Sequence, residues 1–243
     1  MPYARSFFDL QLRFARTVAA LSGQPVADAL LAYTNLYIRF GLGRDFDAAH
    51  PTWRAYVTGL AEAPDATEWT REFHARCSDS GPDVVATSGC FGYARLDDER
   101  IRLHFQDAET DGHGPLDADR AGRRRAELAT LLAEVNPRLR VIGVSWLYNL
   151  EAYRRIFPPA YLATARVVRG RFQHMPRWGQ FLDRRGEVRE APATEFLRRL
   201  DRQSSLEQLE DCFPLPLVAV EAPVQTFHEW VGRGPVGPRS AAR

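Results

Sequence analysis

The apolar pattern of this chain changes period once, and that change limits the folds open to it. Over the first 80 or so residues the apolar side chains recur at three- and four-residue steps, as in helices with one buried face. Phe7, Phe8, Leu10, Leu12, Phe14, Ala15, Val18 and Leu21 predict an amphipathic helix from about Ala4 to Leu21, stopped at Ser22-Gly23. A second helix follows, with Pro25 in its first turn and Val26, Leu30, Leu31, Tyr33, Leu36, Tyr37 and Phe40 apolar almost all round. Shorter helices are expected around 51–60 and 67–77. Ser78-Asp-Ser-Gly-Pro-Asp83 then breaks the pattern, and from Val84 the side chains alternate as in a half-buried strand.

Cys90–Leu96 and Ile101–Gln106 flank the polar turn Asp97–Arg100, which predicts a β-hairpin with a four-residue loop. That register pairs Leu96 with Ile101 and Tyr93 with His104. One face then carries Cys90, Gly92, Ala94, Leu96, Ile101, Leu103 and Phe105; the other carries Phe91, Tyr93, Arg95, Arg102, His104 and Gln106. The second face has the polar, aromatic character of a cleft wall. A helix over about 116–135 and a strand over 140–146 complete a crossover unit. Further along, the patterns predict a helix near 150–157, strands over 163–172 and 180–190, helices near 194–202 and 205–212, a strand at 217–220 and a last helix to Val231. Residues 232–243 have almost no apolar side chain and read as a disordered tail. The expected organisation is a helical region 1–80, a mixed domain 84–231 and the tail.

Composition removes whole classes of chemistry. All 32 basic residues are arginine, which excludes a Schiff-base lysine, a pyridoxal-phosphate anchor, a Walker-type phosphate loop and a serine–lysine dyad. A net charge of +1 gives no global attraction to nucleic acid. Three dispersed cysteines, Cys77, Cys90 and Cys212, form neither a disulfide framework nor a zinc site, so a cytoplasmic location is expected. Neither a signal-peptide run nor a membrane span is apparent.

Within this frame a few residues are placed for chemistry. His104 is expected beside Tyr93 near the carboxyl end of its strand, where ligands of α/β sheets bind, and histidine suits proton transfer at neutral pH. These two are the candidate catalytic residues. His113, in the Gly112-His-Gly114 loop before a helix, and Trp146, after a strand, are candidate substrate contacts. Gly143-Val-Ser145-Trp-Leu147 lacks the second glycine of a nucleophile elbow, so Ser145 reads as a strand end rather than a nucleophile. His104 and Asp107 have no second histidine nearby, so no metal is expected, and Cys90 reads as a buried, protonated thiol. Seven arginines between Arg166 and Arg189 outnumber three acids by four, and Arg169 and Arg171, projecting from one side of the expected strand, form the best pair for an anion.

The order Ile101-Arg-Leu-His-Phe105, Gly114-Pro-Leu-Asp117, long helix, Val141–Val144, Ser145-Trp-Leu147, Phe157-Pro-Pro159 and Arg169-Gly-Arg-Phe172 resembles the C-terminal domain of bacterial acyltransferase-like proteins related to the GNAT fold. The resemblance covers about residues 101–190 through short motifs. It implies a GNAT-like sheet and an acyl-CoA donor, and draws attention to His104, Trp146 and Arg171. The nearest match to the CoA diphosphate loop of that family, Arg140-Val-Ile-Gly143-Val-Ser145, ends in serine and falls within a predicted strand. The expectation is therefore an α+β (or α/β) protein, an N-terminal helical region packed on a mixed sheet flanked by helices. Its expected role is acyl transfer to a small anionic substrate, the alternative being a non-catalytic ligand- or protein-binding module built on an arginine-rich sheet face.

Overall fold

The computed structural model describes residues 3–77 and 84–232, so the predicted boundary at 78–83 and all but the first residue of the predicted tail lie outside the described residues. The chain begins with helices α1 (Arg5–Ser22), α2 (Val26–Tyr33), α3 (Leu36–Arg39), α4 (Pro51–Glu62) and α5 (Ala66–Arg76). Strands β1 (Ala86–Ser88), β2 (Phe91–Arg95) and β3 (Arg100–Phe105) follow, then α6 (Ala121–Leu132), β4 (Arg140–Ser145), α7 (Glu151–Arg154), α8 (Pro159–Leu162) and the two-residue β5 (Arg166–Val167). A 3-10 segment, Arg171–Phe181, leads to α9 (Glu190–Leu200), a second 3-10 segment, Leu206–Cys212, and finally β6 (Val218–Pro223) and α10 (Val224–Gly232). This is an α+β fold.

Two compact units divide the chain: 1–81 with 168–217, and 82–167 with 218–243. The division differs from the expected one, because 168–217 interrupts the 84–231 block and joins the helical region. The reason is aromatic. In the helical unit the α1 face of Phe7, Phe8, Leu10, Phe14 and Val18 shares one core with Trp178, Phe181, Phe196 and Phe213, all buried. Phe14 lies 5.5 Å from Trp178, 5.8 Å from Phe196 and 5.3 Å from Phe213, ring centre to ring centre. Two buried hydrogen bonds tie elements of this core together: Gln11 Oε1 accepts from Asn35 N–H at 3.0 Å, and Trp178 Nε1 donates to the Tyr33 carbonyl at 3.1 Å.

The strands expected over 163–172 and 180–190 are largely absent. Only Arg166–Val167 pairs, and Leu182 with Val188 forms a single bridge around the turn at Asp183–Gly186. Arg169-Gly-Arg171 alternates like a strand on paper, but Gly170 adopts φ 139°, a conformation that suits glycine, and the 3-10 segment starts at the next residue. The arginine-rich stretch is therefore not a sheet face.

The sheet unit holds six strands in the order β1-β2-β3-β4-β6-β5. Only β3 and β4 run parallel, joined by the predicted crossover through α6; the other neighbours are antiparallel. One face is packed by helices: Phe91, Ile101, Leu103, Val141, Val218 and Val220 share a core with Leu128, Leu132, Tyr148, Tyr161 and Phe227. A Cβ at Gly143 would collide with the hydroxyls of Tyr148 and Tyr161, which hydrogen-bond each other at 3.0 Å directly over this strand.

Candidate functional site

The parallel pair is the exceptional element of the sheet. β3 stays paired with β2 along its length and β4 stays paired with β6 from Arg140 to Ser145. Toward each other they pair only at Arg100–Arg140, Ile101–Val141 and Arg102–Ile142. Among the described residues this is the one parallel pair, and its ladder ends short of the carboxyl ends of the two strands, outside which ligands of open α/β sheets bind. Gln106 N–H bonds back to Cys90 on the β2 side, so by alternation the backbone groups of Phe105 face β4. Arg140 N–H donates to the Glu99 carbonyl on the β3 side, so those of Val144 face β3. Both residues lie beyond the last β3–β4 couple.

His104 lies near the carboxyl end of β3, half-buried, and Trp146 directly follows β4, opening a 3-10 turn to Asn149. Ser145 ends β4 as expected of a strand end, its Oγ accepting from Leu147 N–H at 3.1 Å. Tyr93 is not beside His104. It pairs with Leu103, while His104 pairs with Gly92, so the two side chains leave opposite faces of the sheet. The cause is the turn. Leu96 N–H bonds the Arg100 carbonyl at 2.9 Å, and Asp97 accepts from Glu99 N–H at 3.0 Å and from Arg100 Nε at 2.6 Å, closing a three-residue loop where four were expected. One residue of slip exchanges the faces. His104 consequently shares its face with Gly92, Ala94 and Arg102 rather than with aromatic rings.

The remaining candidates divide between the units. Arg169 and Arg171 belong to the helical unit, both exposed, with Arg171 stacked over Phe172 at 4.5 Å. Arg177 of the same stretch is buried and serves structure, donating to the Glu210 carboxylate at 3.0 Å. His113 is exposed in the loop after β3, and its ring, Asp117 and Asp119 bring three potential ligand atoms within 4.8 Å of one another. Asp117 already accepts from Gly114 N–H at 2.8 Å.

The sequence reading misses a buried ionic cluster between the end of β3 and α6. Arg124 has no exposed surface and donates to Glu109, whose side chain is 2% exposed, and to Glu127 at 2.9 Å. Glu109 also meets Arg123 at 3.2 Å and Arg120 at 3.9 Å, and Arg120 pairs in turn with Asp111. Glu127 accepts from Cys90 N–H at 3.0 Å, an approach open only because residue 89 is glycine. Cys90 Sγ lies against the Arg124 guanidinium, and burial pushes its thiol pKa up. A signal was present: Arg124 stands four residues before Leu128 and so on the apolar stripe of α6.

A concavity opens on the helical layer of the sheet unit, a cleft of about 1090 Å³ lined by Phe157, Pro158, Leu162 and Trp230 and bordered by Arg125, Arg154 and Arg155. Arg125 donates two N–H groups to the Arg155 carbonyl, at 2.7 and 3.2 Å, and lies 5.5 Å from the Trp230 ring centre. Comparisons of the chain with family models, with curated proteins and with solved structures give no match. Among the described residues no helix is long and apolar enough to cross a membrane.

Proposed function

We propose that the sheet unit is a GNAT-like acyltransferase that moves an acyl group from a thioester to a small anionic substrate in the cytoplasm. The observation that supports this reading is the short ladder of the parallel pair, three couples long; the reading takes the carboxyl ends of β3 and β4 as a wedge whose backbone groups bond the amides of an extended thioester arm. In the proposed step the substrate's amine or hydroxyl attacks the thioester carbonyl. A peptide N–H of the wedge stabilises the oxygen as charge develops, His104 accepts the nucleophile's proton, and the thiol leaves carrying a proton in exchange. Arg102, on the same face two residues before His104, supplies the cation for an anionic substrate. The three cysteines are free, in keeping with a reducing compartment.

A ligand-binding module without catalysis is the second reading, favoured by the arginine-bordered apolar cleft, whose lining is of the kind that holds small organic ligands. Calorimetry with S-acetylpantetheine separates the two. Binding that is lost in Val144→Pro, which removes one wedge N–H on the side away from β6, supports the acyltransferase; absence of binding by the wild-type protein overturns it.

A further inference from the structure

The loop between β3 and α6 is where a phosphate-bearing ligand entering at the carboxyl ends of the parallel pair would rest, because helix starts in that position offer N–H groups and cations. Here the position is already filled. Glu109, three residues beyond the last ladder bond of β3, points its carboxylate into three guanidiniums, those of Arg120, Arg123 and Arg124. Asp111, Asp119 and Glu127 complete the set, so three arginines face four carboxylates and no positive charge is left over for an incoming anion. Glu109 and Arg124 are almost wholly withdrawn from water, and a pair in that setting persists only while both partners are present. An incoming diphosphate would have to expel a buried carboxylate and would also meet Asp107, Asp117 and Asp119 in the same stretch.

We infer that Glu109 is a built-in anion occupying the place of a donor's diphosphate, so that the donor is recognised through its thioester arm, as an acyl-pantetheine without contacts to a nucleotide. This deepens the acyltransferase reading and rests on it for the identity of the donor; the statement about Glu109 stands on the cluster alone. A CoA thioester would keep its adenosine diphosphate in solvent and gain nothing from it.

Two measurements test the inference. The first is thermal stability with inorganic pyrophosphate. No shift is expected for the wild-type protein and a rise for Glu109→Gln, in which three guanidiniums face one carboxylate fewer; a wild-type rise that disappears in Arg123→Gln overturns the inference. Arg123 is half-exposed, so that variant remains informative even if Glu109→Gln fails to fold. The second is calorimetry with S-acetylpantetheine and acetyl-CoA. Dissociation constants within about threefold of each other are expected, whereas a preference for acetyl-CoA of about tenfold or more, or 1.4 kcal/mol, overturns the inference. If neither thioester binds, the acyltransferase reading fails, and with it the donor assignment, while the pyrophosphate result still decides the role of Glu109.

Discussion

Arg124 and His174 are buried ionisable side chains handled in opposite ways. Arg124 is buried with the carboxylates of Glu109 and Glu127 held against its guanidinium. Arg124→Met should therefore cost about 3–5 kcal/mol, most of it from the carboxylate left behind, and urea denaturation of that variant beside the double variant Arg124→Met/Glu109→Leu should show the second change recovering much of the loss. At His174, burial instead disfavours the charged form. It sits among Phe14, Tyr33 and Phe213, and burial holds its pKa below the ordinary histidine value, with Arg177 adding to the effect and Glu210 opposing it. The unfolded chain then binds the proton more readily, so stability is full above the unfolded value of about 6.5 and declines as pH falls through and below it. Thermal melts from pH 8 to 5 should show this decline, and His174→Phe should reduce its slope; an unchanged slope would assign the decline to other groups.

At the scale of elements, the periods were legible and the joints were not. The hairpin, the α6 crossover and α1 follow from apolar spacing alone. The register of β2 on β3 depends on one side chain, Asp97, whose bonds shorten the loop, and apolar spacing carries no information about that. Asp97→Ala should weaken the hairpin, read as a lowered midpoint in chemical denaturation. The false strands near Arg171 had a readable counter-signal: His174, Trp178 and Phe181 are spaced by four and three, a helical step that the alternating arginines obscured. The early end of the β3–β4 ladder was invisible, since nothing in Leu103–Phe105 or Gly143–Ser145 announces it. The packing above β4 gives a further expectation. Gly143→Ala drives a methyl into the Tyr148–Tyr161 hydroxyl pair and should destabilise the protein by about 1–3 kcal/mol, read as a lowered melting temperature.

For the whole molecule, the decisive feature is that residues 168–217 leave and return at neighbouring points. Val167 and Val218 are register partners on β5 and β6, and Val168 N–H bonds the Leu217 carbonyl at 2.9 Å, so a whole segment of the helical unit hangs from what would otherwise be an ordinary hairpin turn. Sites of this kind accept insertions because the host strands lose nothing at the crossing. The arrangement also sets a timetable for biosynthesis. Phe14 leaves the ribosome early, yet its partners Trp178, Phe196 and Phe213 are translated only after the intervening strands and helices of the other unit. At about 5–20 residues per second the part of α1 around Phe14, which α2 and α5 do not supply with these partners, waits on the order of ten seconds or more for those rings. A nascent chain of this protein thus carries an uncovered aromatic surface through most of its synthesis, and ribosome-bound chains stopped before residue 168 should be the ones that holdase chaperones retain.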